Sequence, residues 1–224
     1  MAYYGYQLHP AWRASISAGT AFSAPTFNQL YYPGYGDPTL RPERARNREA
    51  SLVHEQGATR ATLTWYDNRV SDLIQAVLVQ PPWGYGARNM QQARLTGWSL
   101  SGATRLADWR VQAALDWLDA RDRHTDYRLP RRARETLSLA ATRDFGAWTL
   151  RGGLRAVGAR FDDAAEKRRM GGFAVFDVGV DYRIDGQTTV FARLNNAFDK
   201  RYELAADYGA PRASLFVGLR LQSD

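Results

Sequence analysis

Apolar and polar positions alternate with a period of two along most of the chain, and no helix-period segment interrupts them. Between Trp109 and Trp117 one face reads Trp109, Val111, Ala113, Leu115, Trp117, and the other Arg110, Gln112, Ala114, Asp116, with Leu118 following. The same alternation runs through 148–155, 174–184 and 214–221. The pattern predicts eleven strands, at about 1–8, 12–22, 46–56, 58–73, 90–106, 109–121, 132–143, 147–159, 173–184, 187–197 and 211–221. Connection lengths alternate too. Tight turns hold His9-Pro10-Ala11, Gln56-Gly57-Ala58, Ala107-Asp108, Phe145-Gly146 and Asp185-Gly186, whereas long loops cover roughly 22–46, 74–89, 122–131, 160–171 and 198–211. Long strands with tight turns at one end and long loops at the other describe an antiparallel up-and-down transmembrane β-barrel of the bacterial outer membrane. A soluble sandwich has shorter strands and no such asymmetry.

The two phases agree with a barrel. One carries Arg, Asp, Gln and Thr, as a wide wet lumen requires. The other is apolar and bracketed by Trp65 with Tyr66, Trp109, Trp117, Trp148, Phe176 and Tyr182, where interfacial aromatic girdles would lie. Eleven is odd, whereas both termini of such barrels lie on one side of the membrane. The 224 residues therefore read as part of a larger barrel, and Met1-Ala2-Tyr3-Tyr4-Gly5-Tyr6 resembles the middle of a strand, not a secretory signal.

Composition removes several function classes. With no cysteine, thiolate metal sites, disulfides and cysteine nucleophiles are excluded. Mean hydropathy is -0.48 and no run of about 18 apolar residues exists, so a transmembrane helix is excluded. Neither an enzyme nor a metal site is expected: His124 and Asp122 lack a nucleophile motif, and the acidic pair Asp162-Asp163 lacks a ladder of oxygen ligands. Of 30 basic residues only Lys167 and Lys200 are lysine, and the net charge of +7 is dispersed, so no nucleic-acid partner is expected. The clusters Arg131-Arg132-Arg134 and Lys167-Arg168-Arg169 suit lipopolysaccharide phosphates or nothing. Arg151, Arg155, Asp177, Asp181, Arg183 and Arg193 alternate in sign on adjacent strands of the polar phase, which predicts a cross-strand ion-pair lattice or an ion path.

Three motifs carry a family resemblance. Phe22-Ser23-Ala24-Pro25, then Leu30-Tyr31, then Gly36-Asp37-Pro38-Thr39-Leu40-Arg41-Pro42-Glu43 resembles the F-x-A-P, L-Y and G-N-P-x-L-x-P-E stretch of TonB-dependent outer-membrane transporters. Leu194-Asn195-Asn196-Ala197-Phe198-Asp199-Lys200-Arg201-Tyr202 is similar to their N-L-F-D-K-x-Y element, with Ala197 at the leucine. Tyr208-Gly209 followed by Pro211-Arg212-Ala213 resembles the join to their final strand. Within the family, residues 24–36 look most like the cobalamin receptors. The resemblance implies a 22-stranded barrel filled by an N-terminal plug, of which 1–224 would be the C-terminal half. The plug, the first half of the wall and the box that couples to the TonB complex would be absent from it. It implies residence in the outer membrane of a Gram-negative bacterium, among its lipid and lipopolysaccharide. It also implies uptake of a large scarce ligand, cobalamin, a related corrinoid or a ferric siderophore, with no cofactor. The rival reading is a self-contained smaller pore or surface adhesion barrel.

The 22–46 loop is stiffened by Pro25, Pro33, Pro38 and Pro42. One reading makes it a rigid turn followed by a solvated cluster of Glu43 with Arg41, Arg44, Arg46 and Arg48. The sharper one makes Phe27, Asn28, Tyr31, Tyr32 and Tyr35 a ligand-binding lip, with Trp83 and Tyr85 of the next loop as possible additions. Family barrels end on an aromatic residue that assists insertion. Here Leu221 is followed by Gln222-Ser223-Asp224, which predicts inefficient insertion that a Phe at 221 would improve.

Overall fold

A computed structural model describes residues 1–82, 84–89 and 92–222; Trp83 and the final Ser223-Asp224 lie outside the described residues. The chain forms one eleven-stranded sheet and three small two-stranded hairpins. The strands are β1 (Ala2–His9), β2 (Trp12–Ser23), β3 (Glu43–Gln56), β4 (Thr59–Ser71), β5 (Ile74–Gln80), β6 (Gly84–Asn89), β7 (Gln92–Leu106), β8 (Trp109–Asp122) and β9 (Glu135–Phe145). They continue as β10 (Trp148–Val157), β11 (Arg160–Phe161), β12 (Arg169–Met170), β13 (Phe173–Arg183), β14 (Thr188–Asn195), β15 (Glu203–Ala205), β16 (Tyr208–Gly209) and β17 (Ser214–Leu221). One helix, α1 (Phe27–Tyr31), sits in the first long loop.

The large sheet runs β1-β2-β3-β4-β7-β8-β9-β10-β13-β14-β17, each strand antiparallel to its neighbours and β1 and β17 at its edges. All eleven expected strands are present, with ends shifted by up to three residues. The tight turns close where Gly57 and Gly146 take positive φ, a conformation glycine adopts without a Cβ penalty.

Three features depart from the sequence reading. Helix is present after all: Thr26 and Gln29 form a reciprocal capping box that holds a single turn, too short to leave a period. The long loops are structured, carrying the hairpins β5-β6, β11-β12 and β15-β16. Glu43 does not cluster with the arginines. It starts β3, where successive side chains point to opposite faces, so it lies opposite in phase to Arg44, Arg46 and Arg48. Its Oε1 instead accepts the Ile74 amide at 2.7 Å.

Register turns alternation into continuous bands. Leu52, Leu63, Leu100, Leu115 and Leu137 stand opposite one another on five successive strands. Two residues further along, Trp65, Trp98 and Trp117 form a parallel row. At the short-turn end Phe145, Trp148 and Tyr182 are opposed, and the Trp148 and Tyr182 rings meet at 4.5 Å. Most of these side chains remain exposed although large and apolar, Leu100 and Leu115 each 46%, while Leu52, Trp65 and Leu137 are half-buried. An apolar band bounded by aromatic rows is the pattern of a lipid-facing surface.

The polar phase carries part of the expected ion-pair lattice: among the described residues Arg155, Asp177 and Arg183 form no ion pair, and Asp177 instead accepts the Asn196 amide at 2.7 Å. Asp181 receives Arg151 at 3.1 Å and Arg193 at 2.5 Å, from the strands on either side of its own. Close packing lies at the long-loop end. There the loop after β8 folds back so that Leu129, 1% exposed, covers Ala93 and Ala120 together with Val70, Leu95 and Leu118. The Leu129 amide donates to the Ala120 carbonyl at 2.9 Å.

Candidate functional site

Every structured loop lies at the same end of the sheet, and the aromatic loop between β2 and β3 is the most elaborately braced. Its one-turn helix brings Phe27 and Tyr31 together at i and i+4, with ring centroids 5.1 Å apart. Phe27 is 75% exposed, Tyr31 56% and Tyr32 58%. Asn28 is exposed too, and its carbonyl accepts the Tyr32 amide. Tyr35 is half-buried, so four of the five sequence candidates share the free surface of the turn and the fifth sits beneath it.

The return path explains the Gly and Asp of the motif. Gly36 lies where a Cβ would come within 2.7 Å of the backbone at Leu30, Tyr31 and Tyr32, so only glycine lets the chain close on the helix. Its amide reaches the Tyr32 carbonyl at 2.7 Å, and the Asp37 amide reaches Gln29 at 2.8 Å. The Asp37 carboxylate accepts both the hydroxyl and the amide of Thr39 and pairs with Arg88 at 2.9 Å. Those contacts, the Thr39 hydroxyl first, hold its carboxyl below the usual carboxylate range.

The β5-β6 hairpin, within the stretch 74–89 expected as a long loop, is the buttress. The Ala87 amide donates to the Tyr35 carbonyl at 2.8 Å. Asn89 receives the Arg41 amide on Oδ1 and donates through Nδ2 to the carbonyls of Arg41 and Asp72. Arg41 closes the link on Asp72 at 2.6 Å. Tyr85 of the same hairpin is 50% exposed. The aromatic side chains thus ride on a loop braced by the β5-β6 hairpin.

The second motif is a fastener. Asn196 and Asp199 both take positive φ, a conformation asparagine and aspartate tolerate. The Asn196 side chain bonds both the amide and the carbonyl of Lys200. Asp199 is gripped by the Arg212 guanidinium and receives the Ala213 amide at 3.0 Å, which ties the loop to the start of β17. Arg212 first, then that amide, pull the Asp199 carboxyl down to about 2. Tyr202 stacks on Phe173 at 4.2 Å. The neighbouring acidic residues serve loops as well: Asp162 pairs with Arg131, and Asp163 accepts the amides of Ala165, Lys167 and Arg168.

An antiparallel wall with an apolar aromatic-bounded band, a polar opposite phase and elaborated loops at one end is the pattern of an outer-membrane β-barrel wall. The model of the family "TonB dependent receptor-like, beta-barrel" matches residues 2–197, and the chain belongs to that family. Among curated relatives, a Vitamin B12 transporter BtuB of Photobacterium profundum is 28% identical over 95% of the chain and 36% of its own length. A Vitamin B12 transporter BtuB of Vibrio vulnificus is 31% identical over 86% of the chain and 31% of its own. The chain therefore spans about a third of the length of these relatives. Among solved structures, the copper transporter OprC superposes with a TM-score of 0.81 at 19% identity, covering 98% of this chain and 38% of that one. The ferric enterobactin receptor PfeA of Pseudomonas aeruginosa gives 0.78 at 17% identity, over 97% and 39%. Both share the fold.

Proposed function

We propose that residues 1–224 form the C-terminal eleven strands of the 22-stranded wall of an outer-membrane receptor that takes up cobalamin or a related corrinoid. The long-loop rim faces the exterior, the plug fills the lumen, and a segment outside this chain engages TonB. The observation that carries the ligand reading is the exposed cluster of Phe27, Tyr31 and Tyr32 on a buttressed loop, with Asn28 beside it and Tyr35 beneath. Flat, amphipathic rings held still suit a large, partly apolar ligand, because little entropy is lost when it docks. The names of the curated relatives support a corrinoid as the ligand, since both are named for vitamin B12.

The test is cobalamin binding by the full-length receptor in outer-membrane preparations. Replacing Phe27, Tyr31 and Tyr32 together by Ser should weaken binding at least tenfold, about 1.4 kcal/mol. Unchanged affinity would remove these rings from the site. A receptor that binds a ferric siderophore and no corrinoid would overturn the ligand.

A further inference from the structure

The long-loop rim folds over the polar phase of the sheet. Phe173 shares the phase of Val175, Asp177 and Asp181, yet it is only 7% exposed. Tyr202, from the loop after β14, covers it with a ring stacked at 4.2 Å, and the Arg160 guanidinium approaches from β11 at 5.5 Å. Leu129 likewise covers Ala120, which shares the phase of Gln112 and Asp116. Two residues on, Arg131 lies within electrostatic reach of both Tyr85 and Tyr208. Tyr85 belongs to the hairpin that braces the aromatic loop, and Tyr208 to the hairpin before β17. Six strands of the large sheet, β7 to β14, separate the points where those hairpins emerge. Loops from distant strands thus converge over one face.

Between the β11-β12 and β15-β16 hairpins this arrangement leaves a cavity of about 800 Å³. Arg168, Arg169, Lys200, Arg201 and Arg212 line it, with Glu203 as the acidic side chain of the lining. Arg168 is paired with Asp207 and Arg212 with Asp199, and Glu203 accepts the Asp207 amide at 3.2 Å. Among the described residues no ion pair or hydrogen bond engages the side chains of Arg169, Lys200 or Arg201. Arg160 sits behind Phe173 of the lining, 4% exposed and in no ion pair among the described residues. Its Nη2 donates to the carbonyls of Glu203 and Leu204, and its Nη1 is buried without a hydrogen-bond partner. A buried cation that lacks a carboxylate partner is costly, and here it adds to a positive potential that the loops do not neutralise.

We propose that this cavity receives the phosphodiester of the corrinoid's nucleotide loop, so that the receptor prefers corrinoids carrying the phosphate to those lacking it. Guanidinium offers paired contacts to phosphate oxygens, and the lysine ammonium offers a point charge. The aromatic loop grips the broad ring system while the cavity holds the anion, and Arg131 marks where the two regions approach. The proposal rests on the corrinoid reading above and adds to it a group on the ligand and three side chains that recognise it.

The experiment measures binding of three ligands to the full-length receptor in outer-membrane preparations. They are cobalamin, cobinamide phosphate, which keeps the phosphate without the base, and cobinamide, which has neither. Wild type should bind the two phosphate-bearing ligands at least tenfold more tightly than cobinamide. Arg169→Gln, Lys200→Gln and Arg201→Gln combined should weaken both at least fivefold and shift cobinamide by less than twofold. Arg169→Lys, Lys200→Arg and Arg201→Lys combined, which keeps the charges, should restore most of the preference. A wild type indifferent to the phosphate, or an equal loss on all three ligands, overturns the subsite. A loss confined to cobalamin assigns the cavity to the base and overturns the phosphate contact. A wild type that binds no corrinoid overturns the ligand reading itself, whereas failure here with cobalamin bound leaves that reading standing.

Discussion

Two adjacent alanines on β8 separate the faces of the wall. Ala113 shares the phase of Val111 and Leu115 and is exposed on the apolar band; Ala114, one step on, is half-buried and shares the polar phase of Arg110, Gln112 and Asp116. Trp109 and Trp117 bracket Ala113 at four residues on either side. Eight steps amount to about 27 Å of strand and about 21 Å of height at a tilt of about 40°. Ala113 is thus about 10 Å from each aromatic row, at the deepest point of the band. Arg at a bilayer midplane costs a barrel about 2–4 kcal/mol, and near an interface about 0–1. Ala113→Arg should therefore destabilise the full-length receptor by about 2–4 kcal/mol, and Ala114→Arg by less than about 1. A third variant, Thr96→Arg, sits two residues beyond Trp98 in the apolar phase and should also cost less than about 1. The assay is reversible denaturant unfolding in lipid vesicles followed by tryptophan fluorescence. Equal costs at 113 and 114 would refute the assignment of faces, and equal costs at 113 and 96 would refute the depth scale.

Two further predictions concern packing and the fastener. A Cβ at Gly97 would stand 2.1 Å from the Trp117 carbonyl and 2.6 Å from the Tyr66 hydroxyl, so Gly97→Ala should destabilise the wall by about 1–3 kcal/mol through overpacking, read by the same unfolding assay; no change would show that the strands part freely there. Asp199 has a folded-state value depressed to about 2 from 3.8, so its contribution is present above about 4 and is lost as pH falls toward 2. Exchange protection of the Ala213 amide, corrected for intrinsic rate, should fall across that window, and Asp199→Asn should lower it at neutral pH. A pH-independent protection factor would contradict the latch.

The wall was legible because alternation is written inside each strand: Trp109 to Trp117 shows both faces without any partner. The first long loop was half legible. Its aromatic residues and prolines are local, whereas the hairpin that braces it depends on Asn89 and Arg88 meeting Arg41 and Asp37 across about fifty positions of sequence. Leu129 carries no local mark of being the best-buried large side chain, because its partners Ala93 and Ala120 arrive through register. The row of Arg46, Arg69, Arg94 and Arg121, opposed on β3, β4, β7 and β8, was illegible for the same reason. Its members are separated by 23, 25 and 27 residues, intervals set by strand and loop lengths. A strand's phase can be read alone, but the height of a residue relative to its neighbours needs the pairing.

The odd strand count also limits how copies of this sheet can combine. β1 ends at a tight turn, and β17 begins after a long loop, so the two edge strands point the same way. Curling one sheet until its edges meet would create a parallel seam. Setting two copies upright beside each other, the edge of one against the opposite edge of the other, produces two such seams. Turning one copy over would make the seams antiparallel but would send its loop-bearing rim to the wrong side of the bilayer. The polarity of the edges therefore dictates what can continue the sheet: strands that complete an antiparallel wall must begin and end running the other way.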